Sequence, residues 1–127
     1  MSAAGFLAVG IGAAVGAWMR WWLGVLLNPV IPALPLGTLV SNLVGGYLMG
    51  SAMAVMEQNQ ALSPELRLLV TTGFLGGLTT FSAFSGEAAS LLGQHQYGWF
   101  AALIAAHVAG SILMTIAGIA TIRFALS

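Results

Sequence analysis

The stretch GFLGGLTTFSAFS, residues 73–85, lies in the middle of a long apolar segment and decides how that segment is interpreted. Its glycines and threonines are poor residues for continuing a helix, because glycine loses much backbone freedom and threonine is branched at Cβ. In a membrane, non-helical backbone is tolerated only where it is buried in protein or lines a water-filled cavity. We therefore expect the segment to be broken at GGLTT, residues 76–80; an unbroken helix with a glycine packing face is the alternative.

The composition places the chain in a membrane. Of its 127 residues 59% are hydrophobic and 5% are charged, and the mean hydropathy is +0.98. Soluble domains carry about 25% charged residues. The chain has no cysteine, which excludes disulfides and thiolate metal sites. The net charge is zero, so the basic surface that nucleic-acid binding requires is absent and we expect no nucleic-acid partner.

Four segments are long and apolar enough to cross a lipid bilayer, which takes about 20 residues each. Proline-containing or polar stretches separate them: NPVIPALP, EQNQ with SPE, and GQHQYG. We predict an all-α integral membrane protein with four transmembrane helices, both termini on one side and a single domain over residues 1–127. The predicted helices cover residues 3–27, 36–56, 66–92 and 99–126, and the third is broken in mid-membrane.

The arginines give almost no signal for orientation. Arg20 lies near the end of the first segment, Arg67 and Arg123 flank the opposite side, and there is no lysine. Orientation follows the excess of Lys and Arg on the cytoplasmic side, so two against one leaves the chain free to insert either way up. Two opposite copies can then pair as an antiparallel dual-topology homodimer. A single orientation set by this weak bias is the alternative.

Small residues recur at four-residue spacing in all four segments. Such residues let helix backbones approach closely in lipid. They indicate either a dimer seam or packing inside one four-helix unit, and the pattern alone fits both. The pairs are Gly12 and Gly16, Gly46 and Gly50, Gly73 and Gly77, and Ala106 and Gly110.

Polar residues inside the bilayer are costly and indicate function. Thr38 and Asn42 are four residues apart and share a helical face; Ser111 and Thr115 repeat that spacing, with His107 one turn earlier. A lone Ser or Thr usually bonds its own backbone, so Asn42 is the stronger candidate for lining a wet path. His107 has no second histidine on a facing helix, so we expect a hydrogen-bonded core histidine rather than a metal or haem ligand.

Two ionisable side chains also fall within the predicted spans. Arg20 either draws anions into a vestibule or extends to the lipid headgroups. Glu87 follows the glycine-rich stretch in the outer half of the third segment. A carboxylate that reaches the water of a vestibule fits this position better than a deeply buried proton relay or cation site.

The break has two chemical consequences. Carbonyl groups freed near the midplane can coordinate a cation such as Na⁺, as they do in broken-helix transporters. Phe81 and Phe84, three residues apart, face the same side just beyond the break. Because aromatic rings have a positive edge, rings turned edge-on can favour a small anion without a formal charge. Ordinary core packing is the alternative for this pair.

The stretch GFLGGLTTFSAFS resembles the signature of the Fluc fluoride channels, also called CrcB proteins. GIGAAVGAWMR in the first segment and GTLVSNLVGGYLMG in the second resemble that family's first two helices. The similarity covers essentially the whole chain in length, helix count and motif order. It implies a fluoride ion channel of the inner (plasma) membrane and not an enzyme: an antiparallel homodimer with two separate pores, through which cytoplasmic fluoride leaks out passively.

The resemblance also implies roles for individual residues along the fluoride path. Phe81 and Phe84 would be the aromatic pair that contacts fluoride, one from each subunit in each pore. Asn42, with Thr38 and Ser111, would supply hydrogen-bond donors.

Further positions match the family at the break and beyond it. The carbonyls of Gly76 and Thr79 from both subunits would hold a central structural Na⁺. Arg20 matches the first-helix arginine of the family, and Glu87 matches its acidic position after the phenylalanines. At His107 and Ser41 a smaller or less polar residue is expected from the family.

Two other functions fit the sequence at this point. Small multidrug-resistance transporters also have four helices and often dual topology, but they centre on a glutamate in the first helix, where this chain has Arg20 and no acid. The second alternative function is a non-transporting membrane anchor, in which the polar residues only pack helices together. GIGAAVG has the glycines of a dinucleotide fingerprint, but it lies within a spanning segment and lacks the strand–turn–helix context.

Overall fold

The computed structural model describes residues 1–127 and consists of helices joined by short connections. Four helical spans are long and apolar enough to cross a membrane: Ala3–Leu27, Leu36–Gln58, Pro64–Gly93 and Tyr97–Ala125. The predicted all-α fold with four membrane-spanning helices is therefore confirmed.

Three of the spans are single α-helices and the third is composite. The single helices are α1 (Ala3–Leu27), α2 (Leu36–Gln58) and α6 (Tyr97–Ala125). The third span consists of α3 (Pro64–Leu68), a π-helical segment (Leu69–Leu75), the single turn α4 (Gly76–Leu78) and α5 (Phe81–Gly93).

The third span is interrupted within the stretch where the sequence predicts a break. Thr79 and Thr80 have extended backbone, with φ and ψ of −91° and 158° at the first and −151° and 124° at the second. α5 then begins with a new N-terminal cap, in which Thr80 Oγ1 accepts a hydrogen bond from the N–H of Ala83 at 3.1 Å. The π-helical segment upstream is a feature that the sequence does not predict; such segments are rare and often lie at functional sites.

Glycines bring α1 into backbone contact with the third span. A Cβ added at Gly12 would lie 2.7 Å from the backbone nitrogen of Phe74, and one added at Gly16 would lie 2.7 Å from that of Leu78. From the other side, a Cβ at Gly73 would lie 3.0 Å from the carbonyl oxygen of Val9. No side chain fits between these backbones, so the helices approach as closely as glycine permits.

The same kind of contact joins α2 to α6. A Cβ at Gly46 would lie 2.9 Å from the carbonyl oxygen of Ser111, and one at Gly50 would overlap the backbone of Thr115. The contacts between α1 and the third span and those between α2 and α6 together involve three of the four predicted pairs of small residues. Of the two alternatives, packing inside one four-helix unit is therefore the one that the structure shows for these pairs.

The charged residues near the helix ends cluster at one end of the bundle. Arg123, near the end of α6, lies 3.4 Å from Glu57 at the end of α2, and both side chains are largely exposed. Arg67 donates to the carbonyls of Asn59 at 2.9 Å and Leu62 at 3.2 Å, both in the connection that follows α2. The opposite end carries the α1–α2 connection and the short turn between α5 and α6.

Adding one methyl group at the contact between α2 and α6 is expected to destabilise the fold. In Gly50→Ala the new Cβ would lie 2.8 Å from the carbonyl carbon of Thr115, so the two backbones would have to separate. Overpacking of this kind costs about 1–3 kcal/mol in free energy of unfolding. The control is Gly98→Ala, where a Cβ meets nothing within 4 Å. Equilibrium unfolding in detergent measures both variants, and equal stabilities would contradict the close contact.

Candidate functional site

A cavity of about 450 Å³ opens beside the break in the third span. Residues from α2, the third span and α6 surround it, and none of its lining residues carries a charged side chain other than the ionisable imidazole of His107. We call it the break cavity. The lining residues used below are Asn42, Thr80, Phe81, Phe84, His107 and Ser111.

The amide of Asn42 holds the broken backbone in place. Its Oδ1 accepts a hydrogen bond from the N–H of Thr80 at 2.8 Å, and its Nδ2 donates to the carbonyl of the same residue at 3.0 Å. One side chain thus satisfies both polar groups of one extended residue, as a neighbouring strand would. The remaining N–H of the amide lies 3.0 Å from Nδ1 of His107.

Side chains also take up the N–H groups that would have continued the helix. In an unbroken α-helix the N–H of Thr80 would bond the carbonyl of Gly76, and the N–H of Ala83 would bond the carbonyl of Thr79. Here the first donates to Asn42 and the second to Oγ1 of Thr80. The carbonyls of Gly76 and Thr79 have therefore both lost their helical donors.

A third carbonyl at the break is bound by an arginine. Arg20 Nε, from α1, donates to the carbonyl of Gly77 at 2.9 Å. Of the two alternatives for this side chain, extension to the headgroups is therefore not the one observed. The guanidinium instead lies beside the break. It donates to the Gly77 carbonyl, which in a continuous helix would accept a hydrogen bond from the N–H of Phe81.

The freed carbonyls are oxygen ligands of the kind that a hard monovalent cation prefers. No group of three or more His, Cys, Asp or Glu side chains is placed to hold a metal ion. A cation at the break would therefore depend on backbone oxygen, the kind of ligand that unwound membrane helices offer to Na⁺. The carbonyls of Gly76 and Thr79, both on residues that line the break cavity, are the ones available.

The two phenylalanines lie against each other at the mouth of the break cavity. The rings of Phe81 and Phe84 are 5.5 Å apart between centroids and inclined at 70°, an edge-to-face arrangement. Their exposures differ sharply, since Phe81 is 76% exposed and Phe84 only 7%. Phe84 also lies over the imidazole of His107, with 4.7 Å between ring centroids. Ordinary core packing thus accounts for Phe84 but not for Phe81.

A second cavity, of about 350 Å³, lies next to the break cavity. We call it the arginine cavity; it contains Arg20, Thr38 and Glu87, and it shares Thr80 with the break cavity. The hydroxyl of Thr38 donates to Oε2 of Glu87 at 2.6 Å, and its backbone N–H donates to Oδ1 of Asn28 at 3.1 Å. The other carboxylate oxygen of Glu87 is buried without a hydrogen-bond partner.

A third cavity, of about 830 Å³, lies at the end of the bundle formed by the α1–α2 connection and the α5–α6 turn. Glu87 lines both this end cavity and the arginine cavity. The end cavity and the arginine cavity thus share Glu87, and the arginine cavity and the break cavity share Thr80.

Each of the seven residues that the sequence predicts for a fluoride path lines the break cavity or the arginine cavity. Asn42, Phe81, Phe84 and Ser111 line the break cavity, and Arg20, Thr38 and Glu87 line the arginine cavity.

The structure gives His107 a larger part than the sequence does. The expected hydrogen-bonded core histidine is present, 3% exposed and bonded to Asn42, but the ring also contacts Phe84 and lines the break cavity. The sequence signal for a place of His107 in this lining was its spacing from Ser111: the two residues are four positions apart and share one face of the helix. Ser41 is fully buried, and its hydroxyl has no partner.

Comparison with known proteins finds one family and many similar chains. The family described as "CrcB-like protein, Camphor Resistance (CrcB)" matches residues 7–119. A protein of Ralstonia pickettii (strain 12J), named fluoride-specific ion channel FluC, is 58% identical over 125 residues, 97% of this chain and 98% of the relative. A protein of the same name from Nitrosospira multiformis is 56% identical over 117 residues, 92% of this chain and 91% of the relative.

The bond between Thr38 and Glu87 is expected to stabilise the arginine cavity. Thr38→Val keeps the side-chain shape but removes the donor, and Glu87→Met removes the carboxylate that accepts the bond. A hydrogen bond to a charged group contributes about 1.5–3 kcal/mol, so the two substitutions should be non-additive by that order. Unfolding free energies of both single variants and the double variant in detergent measure the coupling. Additive effects would show that the two side chains do not interact in the membrane protein.

Proposed function

Because the chain belongs to the CrcB family, we propose that it is a fluoride-selective ion channel that exports cytoplasmic fluoride passively, by itself catalysing no reaction. The observation that carries this proposal is the break cavity, which two phenylalanine rings and several polar side chains line beside the break and to which no Lys or Arg contributes. A Lys or Arg side chain in the cavity would hold any anion, whereas weak donors at close spacing favour the smallest one. The direct relatives named fluoride-specific ion channels share more than half of the residues of this chain.

Fluoride is small and strongly hydrated, so a pore must replace its water shell to let it pass. Along the cavities, different groups replace this water shell in turn. Arg20 and Asn28 line the arginine cavity, next to Glu87. Beyond Thr80 the ion meets the edges of Phe81 and Phe84, whose positive rims attract an anion. Chloride, which is larger, gains less from groups spaced for fluoride.

The functional unit in this proposal is an antiparallel homodimer in the inner (plasma) membrane. Phe81 is 76% exposed in the single chain, and the break cavity that it borders is open on one side. A second copy related by a twofold axis in the membrane plane covers both, and its own Phe81 then completes the pore. The weak charge bias of the chain permits the opposite insertion that this symmetry requires.

The dimer centre in this proposal holds a structural Na⁺. Two carbonyls of one chain, those of Gly76 and Thr79, are too few ligands for a cation, and a twofold axis beside them doubles the number. When bound, the ion supplies a positive charge that joins the two breaks. The protein's part is to keep these carbonyls free of helical donors, which Asn42 and the hydroxyl of Thr80 accomplish.

Replacing the exposed ring at the pore is expected to slow fluoride without opening the channel to chloride. The test is fluoride efflux from liposomes that contain the purified protein and a potassium ionophore. Phe81→Ile should slow efflux about tenfold, since an aromatic contact of about 1.5 kcal/mol is lost. Phe124→Ile is the control, because that ring is also exposed but lies at the far end of α6. If the folded wild-type protein releases no fluoride, the proposed function is wrong.

Removal of Na⁺ is expected to weaken the dimer. Protein transferred into N-methylglucamine salts should exchange subunits faster than protein in sodium salts, and added NaCl should restore the slow exchange with a saturating dependence. Fluorescence transfer between differently labelled subunits in detergent measures the rate. Exchange that is equally slow with and without Na⁺ would contradict a structural sodium ion at the break.

A further inference from the structure

The side chain of Thr79, the first extended residue of the break, is held at two points. Its hydroxyl donates to the carbonyl of Leu75 at 2.7 Å. Its methyl carbon Cγ2 lies over Gly45 of α2, where a Cβ added to the glycine would overlap it. A threonine side chain has only these two groups beyond Cβ, so fixed places for both leave it a single rotamer.

The same hydroxyl takes one carbonyl out of the set that could bind a cation. The carbonyl of Leu75 accepts both the backbone N–H of Thr79, at 3.0 Å, and its hydroxyl, at 2.7 Å. A carbonyl oxygen has two lone pairs, and both are then in use. The carbonyls of Gly76 and Thr79, which have lost their helical donors, are the ones that stay free beside it.

The direction of the Thr79 carbonyl follows from the groups that hold its peptide plane. This carbonyl and the N–H of Thr80 belong to one trans peptide, in which they point in opposite directions. The N–H donates to Oδ1 of Asn42 at 2.8 Å, so the carbonyl points away from that amide. At the other end of the plane the Thr79 side chain is held against Gly45. Asn42 and Gly45 are three residues apart and share one face of α2, which therefore orients this carbonyl.

Gly45 is matched to the side chain of Thr79 and not to a neighbouring helix backbone. Apart from the Thr79 methyl, a Cβ at the buried Gly45 would meet only Cβ of Thr79 at 3.6 Å and Cδ2 of Leu78 at 4.0 Å, which are ordinary contact distances. At Gly46 and Gly50 of the same helix it is the backbone of α6 that excludes a Cβ. The methyl of Thr79 is thus the one group that requires glycine at position 45.

We propose that Gly45 is a positioning residue for the cation at the break: it accommodates the Thr79 methyl and thereby orients the Thr79 carbonyl as a ligand. This inference rests on the Na⁺ of the proposed function and adds to it a residue that does not itself contact the ion. Groups that orient metal ligands affect binding strongly, and changing one typically costs about 10–100-fold in metal affinity.

Moving one methyl group from residue 79 to residue 45 tests the proposal. Gly45→Ala displaces the Thr79 methyl and should raise the Na⁺ concentration that half-maximally slows subunit exchange about 10–100-fold. Thr79→Ser keeps the hydroxyl and removes the methyl, so in the double variant the alanine methyl occupies the vacated place. The Na⁺ dependence of the double variant should therefore return close to that of the wild type. Gly10→Ala is the control, because a Cβ there meets nothing within 4 Å.

Carbonyl NMR reports on the ligand itself, independently of subunit exchange and of fluoride efflux. Two threonines are adjacent only at residues 71–72 and 79–80. Protein in lipid bilayers that carries ¹³C at threonine carbonyls and ¹⁵N at threonine nitrogens therefore gives two correlation signals. Replacing N-methylglucamine with Na⁺ should shift the Thr79 carbonyl signal and leave that of Thr71 in place. In Gly45→Ala the same shift should require about 10–100-fold more Na⁺.

The outcomes separate this inference from the proposed function. If Gly45→Ala responds to Na⁺ as the wild type does, or if the double variant responds no better than Gly45→Ala, the inference is wrong and the sodium ion stands. Should Gly45→Ala alone not fold, the comparison of the double variant with Thr79→Ser decides, and a weaker Na⁺ response in the double variant overturns the inference. A wild-type Thr79 carbonyl signal that Na⁺ leaves unchanged overturns the sodium ion and the inference together. Fluoride efflux from the wild-type protein then decides separately whether the channel stands.

Discussion

The Asn42 amide binds both polar groups of the Thr80 backbone, at 2.8 and 3.0 Å, in the middle of the third span. In a bilayer an unpaired N–H or C=O costs several kcal/mol, so a helix cannot open there unless other groups take over its bonds. Here side chains do so from three directions: Asn42 from α2, Arg20 from α1, and Thr80 itself at the start of α5. The extended residues, the bent span and the cavity beside it all follow from this replacement.

The close packing around the break serves the same end. Gly12 and Gly16 hold α1 against the π-helical segment and α4, which brings Arg20 within reach of Gly77 one turn later. Glycines of α2 hold it against α6, which sets Asn42 opposite His107. The rigid parts of the bundle thus place the polar groups, and the polar groups hold the break. In the proposed channel this arrangement gives both an anion path and free carbonyl groups for a cation at the break.

Much of this could be predicted from the sequence, and the physical reasons are specific. Apolar length predicted four spans, and the combination of glycine and threonine at membrane depth predicted the break. The partners of the small residues could not be predicted, because Gly46 and Gly50 fit a dimer seam as well as a contact with α6. The π-helical segment over LVTTGFL has no recognisable signal in the sequence.

The polar pairs were the least predictable part. The bonds of Thr38 with Glu87 and of Asn42 with His107 join residues 49 and 65 positions apart, and single-sequence spacing shows only which residues share a face. The family resemblance implies a place for Asn42 on a fluoride path, and in the structure Asn42 lines the break cavity. Which groups the Asn42 amide binds depends on the whole network, and only the folded structure contains that information.

The most direct test of this account is the backbone conformation of Thr79 and Thr80 in a lipid bilayer. Solid-state NMR of protein labelled with ¹³C and ¹⁵N at threonine and leucine gives the Cα and Cβ shifts of these residues. The account predicts shifts typical of extended backbone at Thr79 and Thr80, a helical shift at Leu78, and a through-space contact between Asn42 Nδ2 and the carbonyl carbon of Thr80. Helical shifts at both threonines would contradict it, because an unbroken third span leaves neither free carbonyls nor a reason for the Asn42 bonds.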